Sequence, residues 1–345
     1  MLTIDGSQGE GGGQILRTSL ALALITGRPF RIVNIRAGRK KPGLLHQHLT
    51  AVQAVTRIGR AEVEGAAIGS KELTFTPTEI MPGEYRFAVG TAGSATLVLQ
   101  AVLPALMTAA APSVLTLEGG THNPYAPPFD FLQKSFLPLI NRMGPKVEAA
   151  LERPGFYPAG GGRFVVTITP VDRLLGFDLL ERGEIIRRRA TAVVSALPRH
   201  IAERELDAVE RKLGWPREWM TVEEVAEPRG PGNVVTVEIE SRHVTDVFTA
   251  FGTRGVRAEA VANQAVRAAR RYLSADVPVG EHFADQLLLP LALAGGGSFK
   301  TLAPSNHTWT NLEVIGRFLD VEITFEECDG QAWLFRVVLP RARKT

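Results

Sequence analysis

An α/β fold built from three βαβαββ repeats in a pseudo-threefold arrangement, with a small α/β domain inserted into the third, is the architecture this chain predicts. The same order of strand and helix signals runs through it three times, and the strand after the first helix of each copy begins near residues 31, 114 and 299. The second spacing therefore exceeds the first by about a hundred residues, the size of a small domain. Residues 182–276 carry strand and helix signals of their own and fill that surplus. Internal repeats come before other fold arguments, because a unit that cannot bury its apolar face alone buries it against its copies.

The first copy opens with a short strand over 2–5, a glycine turn Gly9-Glu10-Gly11-Gly12-Gly13 and an apolar helix over 14–26. A β-branched strand over 31–35 follows, then a basic loop with Arg36, Arg39, Lys40 and Lys41 that ends in Pro42-Gly43. Leu45, Leu49, Val52 and Val55 recur at helical spacing over 44–58, and strands over 61–64 and 72–76 close the unit. The second copy reads strand 85–89, helix 95–109, strand 114–118, loop 122–128, helix 129–142, and strands 146–151 and 163–169. In the third copy, helix 283–294 and strand 299–302 lead to a loop holding His307, then helix 311–319 and strands 321–327 and 332–339. The inserted segment predicts strand 185–197, an amphipathic helix 202–213, strands 220–226 and 234–240, and helix 258–273. The domains expected are 1–181 with 277–345, and 182–276.

Composition narrows the class. The chain has 345 residues, 45% hydrophobic and 22% charged, which suits a soluble globular protein with a large core. Its formal charge of +3 leans basic, as a polyanionic partner would favour. The single cysteine, Cys328, excludes an intrachain disulfide and a multi-cysteine metal site and points to a reducing, cytoplasmic compartment. The N-terminus lacks the charged and apolar regions of a signal peptide, and the longest apolar stretches are too short or too interrupted to span a bilayer.

The stretch Pro304-Ser305-Asn306-His307-Thr308-Trp309-Thr310-Asn311 reads as a loop handing over to a helix, with Thr310 and Asn311 as its caps. His307 then lies just before a helix N-terminus, a place that favours an anion, and a neutral imidazole there can attack phosphorus. The alternative is a surface or capping histidine. The glycine turn before the first helix resembles a phosphate cradle but fails both the Walker and the dinucleotide spacing. Glu10, its one carboxylate, is either a solvated loop group or the holder of Mg²⁺ beside a triphosphate. Arg39, Lys40 and Lys41, with Arg17 and Gln47 in the same unit, are either solvated surface or contacts to RNA phosphate. His46 and His48 have no partner at metal spacing and are expected on the surface. Asp285 reads as a helix N-terminal charge or, with His282 and Gln286, as a group facing a nucleobase. The stretch RPGFYPAGGG (153–162) is expected to be a backbone corner.

End to end the chain resembles the RNA 3′-terminal phosphate cyclase family, on GEGGGQILR (9–17), RAGRKKPGLLHQHLTA (36–51), GFYPAGGG (155–162), HFADQLLLPLALAG (282–295) and NHTWTNLEVI (306–315). The resemblance implies three sheet-and-helix repeats plus a small inserted domain, and ATP with Mg²⁺ or Mn²⁺ as cofactors. It implies His307 as the adenylated nucleophile and Glu10 as the metal ligand. Gln100, Pro127, Phe131, His282, Phe283, Ala284, Asp285 and Gln286 would form the ATP pocket, and Arg17, Arg39 and Gln47 would meet the phosphate of an RNA 3′ end. His282 stands where the familiar bacterial pattern has tyrosine, and an imidazole can still stack on adenine opposite Pro127. The implied product is a 2′,3′-cyclic phosphate, reached through histidine-AMP and RNA(3′)pp(5′)A. The rivals are a cyclase-like branch active in ribosomal RNA processing, an enolpyruvyl transferase of similar repeats, and a simple RNA-binding module. His307, Glu10 and the DQLLLP stretch argue against them.

Overall fold

The computed structural model describes residues 1–328 and 330–340. The first copy contains β1 (Leu2–Asp5), α1 (Gly13–Thr26), β2 (Phe30–Val33), α2 (His46–Ile58), β3 (Glu62–Glu64) and β4 (Leu73–Thr76). The second contains β5 (Glu84–Ala88), α3 (Ala95–Leu106), β6 (Ser113–Gly119), α4 (Phe129–Phe131), a π turn (Leu132–Phe136), α5 (Leu137–Arg142), β7 (Lys146–Arg153) and β8 (Gly162–Thr169). The π turn falls where Pro138 lacks the N–H that would close an α-helical bond to Lys134.

A two-residue strand, β9 (Asp178–Leu179), comes next. It is followed by β10 (Ile185–Ser195), α6 (His200–Leu213), β11 (Met220–Glu224), β12 (Gly232–Ser241), β13 (Thr245–Phe251) and α7 (Ala258–Ala275). The chain then runs through α8 (Glu281–Ala294), β14 (Gly296–Leu302), α9 (Asn306–Phe318), β15 (Glu322–Glu327) and β16 (Ala332–Val338).

Three of the four-stranded sheets share one order: β1-β2-β4-β3, β5-β6-β8-β7 and β9-β14-β16-β15. In each, the first two strands are parallel and need a crossover helix, while the last two are antiparallel and need only a turn. The third copy thus begins at β9, ahead of the insertion. The sequence predicts its start at the following helix, because two residues are too few to show an alternation. The fourth sheet, β11-β10-β12-β13, has a different order and contains β13, a strand absent from the sequence prediction.

Helices α1, α3 and α8 are apolar nearly all round, the mark of helices buried on every side. The sixth residue after each N-cap, Thr18, Gln100 and Gln286, lines one shared cavity of about 40 Å³. Such a space holds a water molecule or so. The three copies therefore meet along these helices. Phe30 on β2 packs at 5.9 Å against both Phe75 of β4 and Phe318 at the end of α9, which ties the first copy to the third. The apolar cluster around α6 and α7 also continues into Leu302 and Ala332 of the third copy. Lys134 joins the second copy to β12 through Glu238 at 2.8 Å.

Candidate active site

Helix α9 starts earlier than the sequence predicts. Its N-cap is Ser305, whose Oγ accepts from the Thr308 N–H at 3.4 Å, so His307 belongs to the first helical turn rather than to a loop. Thr310 and Asn311 do not cap the helix, because both are engaged with other elements. Thr310 Oγ1 donates to the Asn306 carbonyl at 2.7 Å and accepts from the Glu10 N–H at 2.9 Å. Asn311 donates to the Asp285 carbonyl at 2.7 Å and accepts from Thr18 Oγ1 at 2.8 Å. These bonds fasten the glycine turn, α1 and α8 to α9. Gly9 has φ +55°, and a Cβ there would run into Thr310, so only glycine lets the turn approach this closely.

His307 Nδ1 lies 2.8 Å from Gln14 Oε1 and 3.9 Å from Glu10 Oε2. Arg17, a group that can only donate, gives its Nε–H to Gln100 Oε1 at 3.2 Å. Gln100 Nε2 then donates to Gln286 Oε1, and Gln286 Nε2 donates to Asp285 Oδ2 at 2.6 Å. Gln14 Nε2 donates to that same oxygen at 3.2 Å, which turns its carbonyl oxygen towards the imidazole. His307 must therefore carry its proton on Nδ1, and the Nε2 lone pair is free. Burial, reinforced by Arg17, His282 and Arg39 and opposed by Glu10, lowers the His307 pKa below the usual histidine value. The ring is neutral at pH 7.

The surrounding charges are equally ordered. Glu10, its side chain only 5% exposed, is ion-paired to Arg39, and its other oxygen accepts from the Gln14 N–H at 3.3 Å. Burial brings the Arg17 guanidinium down to about 10, against the pull of Glu10 and Asp285, so it stays charged. Burial likewise pushes Asp285 up to about 7, against its bonds to Gln286 and Gln14 and the charge of Arg17.

No cluster of three or more His, Cys, Asp or Glu side chains able to hold a metal occurs among the described residues. Glu10 beside His307 is a single-carboxylate donor set. It fits a Mg²⁺ ion whose other positions are filled by phosphate oxygens and water.

The structure thus brings His307, Glu10, Arg17, Arg39, Gln100, Asp285 and Gln286 together, with His282 exposed at the start of α8. Phe131 and Phe283 meet edge to face at 5.0 Å, and both are buried, as is Ala284. Those three back the site from below rather than line it, since burial leaves them no face for a ligand. Pro127, half-buried, accepts from Thr96 Oγ1 at 2.8 Å. Gln47 stands apart from the His307 network: its Oε1 accepts from the Ser94 N–H at 2.9 Å, at the N-terminus of α3.

Two residues have roles that the sequence does not predict. Gln14 bridges His307 to Asp285. His48, expected on the surface, is buried, with Nδ1 accepting from the Leu45 N–H at 3.2 Å. Its spacing with Val52 and Val55 on α2 is that of one helical face, and this is the signal of burial.

Burial, then Arg17 and Arg36, hold the His48 pKa down to about 3. Folding therefore excludes a proton that the unfolded chain takes up below about 6.5. The contribution of His48 is complete above that pH and is lost as pH falls towards the folded value, at about 1.4 kcal/mol per pH unit at most. Denaturant unfolding between pH 6.5 and 4 should accordingly show a shallower acid decline in His48→Gln than in the parent, and parallel curves would remove this role.

No helix among the described residues is long and apolar enough to cross a membrane. A family model for RNA 3′-terminal phosphate cyclase matches residues 8–325. A protein of Koribacter versatilis (strain Ellin345) is 53% identical over 327 residues, covering 95% of this chain and 92% of its own. One of Ectopseudomonas mendocina (strain ymp) is 52% identical over 322 residues, 93% of this chain and 94% of its own. One of Salmonella paratyphi C (strain RKS4594) is 50% identical over 330 residues, 96% and 95%. All three carry the name RNA 3′-terminal phosphate cyclase.

Proposed function

The chain belongs to the RNA 3′-terminal phosphate cyclase family, and on that premise we propose that it converts an RNA 3′-phosphate to a 2′,3′-cyclic phosphate at the expense of ATP, in the cytoplasm. The observation that carries this reading is a neutral His307 whose Nδ1 is committed to Gln14. Its free Nε2 attacks the α-phosphorus of ATP, a P–N bond forms, and pyrophosphate leaves. An oxygen of the RNA 3′-phosphate then attacks the adenylyl phosphorus and releases His307, giving RNA(3′)pp(5′)A. The neighbouring 2′-OH attacks the 3′-phosphorus and AMP departs; holding both groups on one ribose supplies much of that acceleration.

Glu10 would hold Mg²⁺ or Mn²⁺, which supplies positive charge at the phosphate oxygens. Arg17 and Arg39 would stabilise charge on the phosphates of ATP and of the RNA end, and Gln47 would meet the RNA. The cavity along α1, α3 and α8 has room for water but not for a purine, so the adenine lies outside it, on the side of His282 and Pro127. We further propose a division into 1–181 with 277–345, three copies about a pseudo-threefold axis, and an inserted domain over 182–276.

A 3′-phosphorylated oligoribonucleotide incubated with ATP and Mg²⁺ should acquire a phosphatase-resistant cyclic end, and omission of ATP should prevent it. Cyclisation without ATP, or binding without any reaction, would favour one of the rivals. If His282 stacks on the adenine, His282→Ala should raise KM for ATP about fivefold or more, since stacking is worth ~1–3 kcal/mol per base. His282→Tyr should keep or lower KM. An unchanged KM in the alanine variant takes His282 out of the pocket.

A further inference from the structure

A second concavity, of about 560 Å³, lies between the start of α2 and the three loops of the second copy that precede α3, α4 and β8. Gln47, Asn123, Pro124, Tyr125, Tyr157 and Pro158 form its walls. None of the groups bonded to His307 lines it. It is nevertheless close to the active site, since Gln47 precedes His48, and a Cβ on Gly13 of the glycine turn would touch His48.

Three features of the groove point to a ligand. Tyr125 is wholly exposed and Tyr157 is 69% exposed, an unusual outlay of aromatic surface. Tyr125 also sits at φ +63°, a left-handed backbone that a bulky side chain rarely adopts and that marks functional loops. Asn123, 8% exposed, donates through Nδ2 to the Ala92 carbonyl at 2.5 Å and so pins the Tyr125 loop to the turn before α3. Two bare aromatic rings on a loop held in this way are the complement of a flat heterocycle. Charge agrees with this, because the exposed Arg229 of the inserted segment packs over Gly161 of the turn that carries Tyr157, where it can meet a phosphate.

We propose that this groove binds the base of the penultimate RNA nucleotide, stacked on Tyr125 and Tyr157. This rests on the reading of the protein as an RNA 3′-phosphate cyclase. The adenine of ATP is not the occupant, because the groups assigned to it are on α3, α8 and the Pro127 side of the loop. Stacking accepts any base, so the site would grip the RNA end without reading its sequence.

The test compares two 3′-phosphorylated oligoribonucleotides, one normal and one abasic at the penultimate position, with the parent and with Tyr125→Ala/Tyr157→Ala. Self-labelling by α-labelled ATP is measured alongside, so that failure of the cyclase reading shows separately as an inert parent. On normal RNA the double variant should raise KM by about tenfold or more, with kcat and self-labelling as in the parent. On abasic RNA the parent should lose the same factor and the variant should lose nothing further. Tyr125→Phe/Tyr157→Phe should behave as the parent. An unchanged KM in the double alanine variant, or an equal loss on both RNAs, overturns the proposal.

Discussion

Replacing His307 with alanine is expected to abolish both labelling by α-labelled ATP and cyclisation of RNA. The parent should acquire an acid-labile, base-stable label and release pyrophosphate, as a phosphoramidate requires. The alanine variant should still bind 3′-phosphorylated RNA, because Arg17 and Arg39 depend on other partners for their positions. His307→Asn should be equally inert, since an amide nitrogen is not a nucleophile. The pH profile carries a second signature. The reactive ring is the neutral one, and burial lowers its pKa, so labelling by the parent should persist below about 6.5, where an ordinary histidine is already protonated. Adenylation surviving in either variant would require another nucleophile.

How much of this was legible before the structure depended on the length and locality of each signal. The repeats were, because β-branched strands and apolar helices of a dozen residues leave strong periodicities, and the insertion followed from their unequal spacing. Strand β9 was too short to leave one. The sequence misplaces the α9 cap because Ser305, Thr310 and Asn311 are all residue types that cap helices, and only packing shows that the last two are occupied by Glu10, Thr18 and Asp285. The inserted segment was visible as a length of chain, but its attachment was not. Asp246 of β13 accepts from the Gly280 N–H at 2.8 Å, at the N-cap of α8, so the insertion holds the helix that carries Asp285 and Gln286. His307, Glu10 and the basic cluster stand out in the residues themselves, whereas Gln100 enters only by resemblance, and the bonds that fasten the glycine turn and α1 to α9 join positions about three hundred residues apart.

Gln14 is where those bonds converge, and its removal should produce the second large effect. In Gln14→Ala the His307 ring loses the acceptor that keeps its proton on Nδ1, and the proton can then occupy Nε2 and remove the attacking lone pair. Loss of the group that sets the tautomer of a catalytic histidine costs up to about 10⁴-fold in kcat, and a fall in self-adenylation of at least about a hundredfold is expected here. KM for ATP should change little, because Gln14 acts through His307 rather than on the nucleotide. Gln14→Glu separates this role from simple packing. The new carboxylate would still accept from Nδ1–H but would face Asp285 Oδ2 across the present 3.2 Å contact, and two carboxylates that close share a proton. Whatever negative charge remains on it raises the His307 pKa, so the protonated, unreactive ring persists to higher pH. The acid limb of self-labelling should therefore move upward relative to the parent. Parental kcat in the alanine variant, or a limb that stays in place in the glutamate variant, would show that Gln14 only fills space beside His307.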